Sequence, residues 1–207
     1  MLYRILKIVC NVVFRLFWRW RIVGADHFPK SGPVILVANH VSVWDPVIIA
    51  AAMPRNVRFM AKEELFQIPL LNSIITQLGS FPVKRGQADR GAIKQALEIL
   101  AEGEVLGLFP EGTRSKTGEL QKPHPGAALI ALKSSAPVVP VACLGSNQPW
   151  KRMFHSGGFT VIIGPGQSYN KSAEHRLSTN SLEAVSNDMM LKISHLILDN
   201  ISQVEHD

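Results

Sequence analysis

The stretch "VILVANHVSVWDP", residues 34–46, passes from five consecutive apolar residues into a polar segment that holds one histidine and one aspartate. A continuous apolar run is typical of a strand buried on both faces of a sheet, whereas a strand with one wet face alternates. Residues 34–38 therefore predict a buried strand. Because Asp45 followed by Pro46 is typical of a helix start, the stretch predicts a strand, a loop and a helix.

The same alternation continues along the chain. Helical patterns separate the β-rich runs, and Gly79 and Gly103 each end one of these helices. A last helix is predicted for residues 182–201. With no internal repeat or linker, we predict an α/β fold in a single domain, with a mostly parallel or mixed sheet of about seven strands flanked by helices. The predicted strands are residues 21–24, 34–38, 57–61, 81–84, 105–109, 138–143 and 160–163.

The positive charge is concentrated at the amino terminus. The chain has 22 Lys and Arg, and five of them lie in residues 1–24, which contain no acid. The other 17 basic side chains are nearly balanced by 16 acids. Since a nucleic-acid-binding domain spreads its cations over a face of the core, we expect no nucleic-acid partner.

Residues 1–19 predict an amphipathic helix, with residues 20–207 as the main domain. Arg4, Lys7 and Arg15 fall on one stripe at 100° per residue, and apolar side chains cover the opposite side. The uncharged run 8–14 is too short to span a bilayer, which takes about 20 residues. With Phe17 and Trp18 among the basic residues, the pattern favours a helix lying on a membrane surface. The alternatives are a helix packed on its own domain and a secretory signal.

Cys10 and Cys143 lie far apart, each in an apolar run. This spacing predicts neither a disulfide framework nor a metal site, and it favours a reducing compartment.

His40 and Asp45 are the candidate catalytic pair. Five residues advance about 500° along a helix, so the two side chains can meet only if the chain turns from strand to helix between them. A carboxylate that holds one imidazole nitrogen leaves the other to take a proton from a hydroxyl or thiol. The pair therefore predicts a general base and its orienting partner. The alternative is a helix-capping aspartate beside an ordinary loop histidine.

Two segments that follow apolar strands are candidate anion-binding sites. In "FPEGTRS", residues 109–115, the glycine lets backbone amides approach an anion, the hydroxyls can donate, and the arginine can grip a phosphate with two hydrogen bonds. "FPVKRG", residues 81–86, adds two cations. A polar surface turn and a solvated charge run are the alternatives. The candidate residues are Lys84, Arg85, Gly112, Thr113, Arg114 and Ser115.

In their order and separations, "NHVSVWD", "FPVKRG", "FPEGTRS" and "VPVACLG" resemble the four sequence blocks of the glycerolipid acyltransferases. The resemblance spans roughly residues 20–165 and is greatest to the bacterial 1-acyl-sn-glycerol-3-phosphate acyltransferases. The chain departs from the common pattern at residues 121–131, where His124 and Pro125 stand in place of an aromatic residue and a lysine.

The resemblance implies an enzyme that acylates the sn-2 hydroxyl of lysophosphatidic acid, forming phosphatidic acid in phospholipid biosynthesis. His40 would deprotonate that hydroxyl while Asp45 orients the ring, and the hydroxyl would attack an acyl thioester directly. Arg85 and residues 111–114 would bind the glycerol phosphate. Acyl-CoA or acyl carrier protein would be the co-substrate, with no metal and no other cofactor. Residues 20–207 would form the acyltransferase domain.

Membrane-embedded substrates and the basic helix together predict peripheral or monotopic attachment at the cytoplasmic face of the cell membrane. Three alternatives stay open at this point. The enzyme could acylate another lysolipid or glycerol 3-phosphate, the chain could be a non-catalytic membrane lipid-binding protein, or His40 could activate water in a hydrolase.

Overall fold

The predicted buried strand forms at the predicted residues, as β2 (Val34–Ala38), and all of its side chains are buried. The computed structural model describes residues 2–84, 89–154, 158–169 and 178–205, with side chains up to residue 200. Each of the seven predicted strands is present within one residue of its predicted ends. The other six are β1 (Arg21–Val23), β3 (Val57–Lys62), β4 (Phe81–Val83), β5 (Val105–Leu108), β6 (Val138–Leu144) and β7 (Thr160–Ile163).

The strands form one mixed sheet in the order β1-β7-β6-β2-β5-β3-β4. Neighbours are parallel except β6 and β7, which are antiparallel. The carboxyl ends of β2 to β6 therefore meet at one edge, which is where ligands bind in open α/β sheets. The predicted fold class is confirmed.

Helices cover both faces of the sheet. Val34, Leu36 and Ala38 of β2 pack with the first two helices, and Ile35 and Val37 pack with the last three. This alternation follows from the two-residue period of a strand and explains why β2 is apolar throughout. The helices are α1 (Leu2–Trp18), α2 (Asp45–Ala52), α3 (Pro69–Gln77), α4 (Arg90–Ala101), α5 (Gly126–Ser134) and α6 (Thr179–Glu205), and short 3₁₀ helices lie at Ala25–His27 and Glu63–Gln67.

The predicted helix boundary at Asp45 needs one correction. Trp44, not Asp45, occupies the N-cap position of α2, and no side chain caps the helix there. Asp45 is the first helical residue, and its carboxylate turns back to the preceding loop instead. Gly79 and Gly103 follow α3 and α4 with φ of +80° and +75°, so both predicted helix-ending glycines are confirmed.

The predicted amino-terminal helix is present, but two of its polar side chains, Lys7 and Asn11, face the domain. The Lys7 ammonium donates a hydrogen bond to the Met53 carbonyl, and the Asn11 amide donates to the Ala51 carbonyl at 3.0 Å. These carbonyls belong to the end of α2, where backbone acceptors lack helical donors and the helix dipole is negative. A lysine and an asparagine are therefore stabilised there.

The outer side of α1 is apolar and exposed. Ile8, Val12 and Leu16 are more than half exposed, whereas Phe14 and Trp18 are buried against Phe159 of the core. The two-sided pattern thus combines packing on the domain with an uncovered apolar side. No helix among the described residues is sufficiently long and apolar to cross a bilayer.

The structure corrects two of the five residues predicted to touch a membrane. Trp18 stacks on Phe159, and its indole N–H donates to the Pro149 carbonyl at 2.7 Å, so it is a core residue. Lys7 is turned to α2. Arg4, Arg15 and Phe17 remain exposed.

Candidate active site

The side chains of His40 and Asp45 meet where β2 gives way to α2. The His40 Nδ1 lies 2.8 Å from the Asp45 Oδ2, and Asp45 is fully buried. Since a carboxylate accepts, Nδ1 carries the proton and Nε2 is left as the basic nitrogen. The predicted pairing of the two side chains is confirmed.

Asp45 is fixed by donors on both carboxylate oxygens. The backbone N–H groups of Val41 and Ser42 each donate to Oδ2 at 2.7 Å, in addition to the imidazole. The hydroxyl of Ser146 donates to Oδ1. A buried carboxylate with four donors holds one orientation, which an orienting partner for histidine needs.

The imidazole of His40 is held by aromatic stacking. Its ring lies over Phe109 with centroids 4.1 Å apart and planes 19° from parallel, and Phe109 in turn stacks on Phe59 at 5.7 Å. Because Phe109 directly follows β5 and β5 pairs with β2, the sheet sets the ring's position. The His40–Asp45 dyad is therefore held in place by the fold itself.

Glu111 differs from its predicted role in phosphate binding. Its side chain is buried, Oε1 accepts from the His40 backbone N–H at 2.9 Å, and Oε2 accepts from the Gln121 backbone N–H at 3.0 Å. An anionic group would repel a phosphate, whereas here it ties the loop after β5 to the loop after β2. The structure thus makes Glu111 a positioning residue for His40.

Gly112 and Ser115 also have structural partners. The Gly112 N–H donates to the Phe109 carbonyl at 3.0 Å, its φ is +68°, and an added Cβ would lie 2.6 Å from the His124 ring. Ser115 donates its N–H to the His40 carbonyl at 2.7 Å and accepts from the Gly118 N–H at 3.1 Å. The predicted contacts of these two residues with an anion are corrected, because their polar groups serve the loop.

Thr113 and Arg114 stay available to a ligand. Both side chains are exposed, and the Arg114 guanidinium has no hydrogen-bond or ion-pair partner within the described part of the chain. The N–H of Ser115, the residue after Arg114, donates to the His40 carbonyl, so the backbone here contacts the loop that carries the catalytic pair. The backbone of Arg114 therefore lies beside the loop that carries the catalytic pair, and its exposed side chain is a candidate for the anion site.

The second predicted cationic segment lies farther away. Lys84 follows β4, which is three strands from β2, and strands spaced about 4.8 Å apart put the two roughly 14 Å apart. Its ammonium lies 4.0 Å from the Glu63 carboxylate. The structure does not bring Lys84 next to His40, and Arg85 lies outside the described residues.

The strand β6, which carries the block "VPVACLG", contributes to the site through contacts that the sequence did not predict. The Asn39 side chain donates to the Cys143 carbonyl at 3.0 Å and accepts from the Cys143 N–H at 2.8 Å. Burial, together with the nearby Asp45 charge, raises the pKa of the Cys143 thiol well above its ordinary value, so the thiol is protonated at neutral pH. "LGSN", residues 144–147, follows an apolar strand, but only the strand order shows that Ser146 reaches Asp45.

The chain matches the family model of the acyltransferases over residues 19–144. A 1-acyl-sn-glycerol-3-phosphate acyltransferase of Bacillus subtilis is 32% identical over 79% of this chain and 81% of its own length. One of Borreliella burgdorferi is 29% identical over 69% of this chain and 58% of its own length.

The fold is also that of a solved relative. The crystal structure of the 1-acyl-sn-glycerophosphate acyltransferase PlsC from Thermotoga maritima superposes with a TM-score of 0.71 at 26% identity, covering 94% of this chain and 79% of that chain. The matched family segment contains the dyad, Glu111 and Arg114. The chain belongs to the acyltransferase family.

Proposed function

We propose that the protein transfers a fatty acyl group from an acyl thioester to the sn-2 hydroxyl of 1-acyl-sn-glycerol 3-phosphate. The observation that carries the proposal is the buried His40–Asp45 pair, whose Nδ1–Oδ2 distance is 2.8 Å. The relatives from Bacillus subtilis and Borreliella burgdorferi are named for this reaction. The product would be phosphatidic acid, a precursor in phospholipid biosynthesis.

The proposed reaction needs one base and no covalent enzyme intermediate. Nε2 of His40 takes the proton of the acceptor hydroxyl, and the oxygen forms a bond to the thioester carbonyl carbon. The carbon–sulfur bond then breaks, and the thiolate leaves with the proton that His40 returns. The Asp45 carboxylate keeps its hydrogen bond to Nδ1 and stabilises the imidazolium. Cys143 does not act as a nucleophile in this scheme, because its thiol is buried and protonated.

Arg114 supplies the cation for the acceptor phosphate in this proposal. Its exposed guanidinium can form two parallel hydrogen bonds to a phosphate, and Thr113 adds a hydroxyl beside it. Contacts of Lys84 and Arg85 with the phosphate stay predictions. A substrate bound between Arg114 and His40 would present its sn-2 hydroxyl to the base.

We further propose that the outer side of α1 lies in the membrane interface. Its exposed apolar residues include Ile5, Ile8, Val9, Val12 and Leu16, and the flanking Arg4 and Arg15 are exposed. An apolar helix side with cations at its border suits an anionic bilayer surface, where the acceptor lipid resides. The cytoplasmic face of the membrane is the corresponding expected location.

A panel of acceptors and donors tests the proposal with purified protein. The acceptors are lysophosphatidate, its dephosphorylated form 1-acylglycerol, other lysophospholipids and glycerol 3-phosphate, each offered with acyl-CoA and with acyl carrier protein. Preference for lysophosphatidate is expected. Equal rates with 1-acylglycerol would contradict it, thioester loss without acceptor would indicate a hydrolase, and binding without turnover would indicate a lipid-binding protein.

The Arg114→Ala variant refines the same panel. Loss of a charge-assisted hydrogen bond to phosphate is expected to raise the KM for lysophosphatidate by roughly tenfold to a hundredfold. The KM of the acyl donor is the internal control and should not change. An unchanged KM for lysophosphatidate would remove Arg114 from the acceptor site.

A further inference from the structure

We infer that residues 149–154, "PWKRMF", form a second lipid-binding element, which docks together with α1 on a bilayer containing anionic phospholipid. The segment follows β6 on the side of the molecule that carries α1. The inference deepens the proposed membrane association of α1 and rests on it.

Two large aromatic side chains of the segment are uncovered. Trp150 is 70% exposed and Phe154 is 62% exposed. Single exposed apolar residues are common, but here two large exposed aromatic side chains each lie against a ring at the end of α1. Tryptophan is enriched at membrane interfaces because its ring is apolar while its N–H needs a polar partner.

The segment is fixed to the end of α1. The indole N–H of Trp18 donates to the Pro149 carbonyl at 2.7 Å, and the Phe154 N–H donates to the Phe17 carbonyl at 2.5 Å. The rings of Phe17 and Phe154 lie 5.8 Å apart, and those of Trp18 and Trp150 lie 6.4 Å apart. The exposed aromatic patch therefore continues the uncovered apolar side of α1 as one surface.

The charges around this surface favour an anionic bilayer over a protein partner. Arg15 and Arg19 lie at the end of α1, and Lys151 and Arg152 lie within the segment. The sequence contains no Asp or Glu in residues 1–25 or 120–173. Each basic residue near an anionic surface contributes about 1 kcal/mol of binding energy. Aromatic side chains among such cations are complementary to headgroups above acyl chains.

The segment also connects the membrane to the catalytic loop. Trp150 and Trp44 line the same small apolar recess together with Phe14 and Phe159. Trp44 directly precedes Asp45, so a bilayer held at Trp150 lies beside the loop that carries the dyad. An acyl chain in this recess, rather than a bilayer on it, is the competing occupant, and the test separates the two.

The test compares vesicle binding of the full-length wild type with the Trp150→Ala and Phe154→Ala double variant. Vesicles of phosphatidylglycerol and phosphatidylcholine are expected to bind the double variant about tenfold more weakly. A matched control replaces Leu191 and Leu198 by alanine, two exposed leucines of α6 on the opposite face. The control should bind as the wild type does.

Fluorescence locates Trp150 itself. Brominated phospholipid in the same vesicles should quench the wild type more than the Trp150→Phe variant, and the difference spectrum reports this residue. Lack of such a difference would overturn the inference, as would equal vesicle binding by the wild type and the double variant.

Two further measurements separate this inference from the proposed function. The Ile8→Ser, Val12→Ser and Leu16→Ser triple variant reports α1 alone. If the triple variant binds vesicles weakly while the double variant binds normally, α1 binds the membrane and only the assignment of residues 149–154 as a second lipid-binding element is wrong. Turnover of a water-soluble short-chain acceptor without vesicles should be unchanged in the double variant, and a parallel loss there would assign the aromatic patch to the acyl chain instead.

Discussion

Asp45 organises the catalytic loop because its two carboxylate oxygens receive four hydrogen bonds. Three donors, from His40, Val41 and Ser42, converge on Oδ2, and the Ser146 hydroxyl serves Oδ1. These hydrogen bonds give Asp45 two roles, one that depends on its shape and one that depends on its charge. Its shape holds the loop, and its charge supports the imidazolium that forms during proton transfer.

The Asp45→Asn variant tests the charge alone. The amide oxygen can accept at the Oδ2 position, and the amide nitrogen can donate to the Ser146 oxygen, so the loop geometry should persist. We expect kcat to fall by about 10⁴-fold because the imidazolium loses its counter-charge and the amide no longer holds the ring in one tautomer. Steady-state kinetics measure it, with thermal unfolding as the control. A kcat near the wild-type value would show that the charge is dispensable.

Ser146 is expected to act as a positioning residue. The Ser146→Ala variant leaves Oδ1 without its hydroxyl donor, so Asp45 is held less firmly and kcat should fall by about tenfold. Since Ser146 is fully buried and donates to Asp45, we expect KM to stay constant. The Ser146→Thr variant keeps a hydroxyl and should recover most of the activity. Failure of threonine to rescue, or a KM effect alone, would contradict this role.

At the scale of single elements, α1 has two sides with different energetic roles. Phe14 is 3% exposed and packs on Trp20 and Phe159, whereas Leu16, two residues away, is 65% exposed. Removing the whole helix would therefore open the core as well as detach the protein from a membrane. Point variants on each side separate the two effects.

The Phe14→Ala variant should destabilise the fold by about 3 kcal/mol, because it leaves a cavity among buried aromatic rings. The Leu16→Ala variant should change the free energy of unfolding by less than about 0.5 kcal/mol, since that side chain contacts little. Urea unfolding of both variants measures the difference. Equal stabilities would contradict the observed orientation of α1.

The beginning of α4 predicts a pH effect on stability. The Asp89 carboxylate accepts from the Lys84 and Ala92 backbone N–H groups, both at 2.9 Å. These bonds, that from Lys84 first, lower the pKa of Asp89 below its ordinary value of 3.8. The pKa of Asp89 is lower in the folded protein than in the unfolded chain. Its carboxylate therefore stabilises the fold fully above the unfolded value of 3.8, and this stabilisation is lost as the pH falls through the folded pKa.

Replacing Asp89 by alanine should therefore cost about 1 kcal/mol at pH 7, the usual loss for a helix N-cap. The cost should shrink as the pH falls below 3.8. The Asp89→Asn variant keeps a capping oxygen and should lose less, without this pH dependence. Urea midpoints at neutral and acidic pH measure both variants, and a pH-independent cost for alanine would refute the assignment.

At the scale of the whole molecule, the sheet determines where the catalytic pair and the helices lie. The carboxyl edge of the parallel strands carries the dyad and Arg114, one face carries α1 and α2, and the other carries α4 to α6. The 149–154 segment, which contacts the end of α1, shares a recess with Trp44 of the catalytic loop. The molecule therefore presents its catalytic loop beside the surface proposed to meet lipid.

Much of this arrangement is predictable from the sequence because it depends on local patterns. Apolar runs located the seven strands, and the strand-to-helix turn between His40 and Asp45 predicted their contact. The strand order is not local, so the approach of β6 and the role of Ser146 could not be predicted. Likewise, the sequence does not show that Glu111 bonds to the backbone of His40, since that contact joins two loops 71 residues apart.

The helix pattern of residues 1–19 predicted two sides but not which one faces the domain. Lys7 and Asn11 are polar, yet they bind the free carbonyls at the end of α2, and no sequence rule indicates that those carbonyls are adjacent. Trp18 was likewise predicted to lie on the lipid side. It is buried instead, because its ring stacks on Phe159 and its indole N–H donates to the Pro149 carbonyl.

The most direct test of the central claim is acyl transfer to lysophosphatidate by the His40→Ala variant. Loss of the base should lower kcat by about 10³-fold or more, while far-ultraviolet circular dichroism and vesicle binding stay as in the wild type. Turnover within about tenfold of the wild type by such a folded variant would contradict the assignment of His40 as the general base.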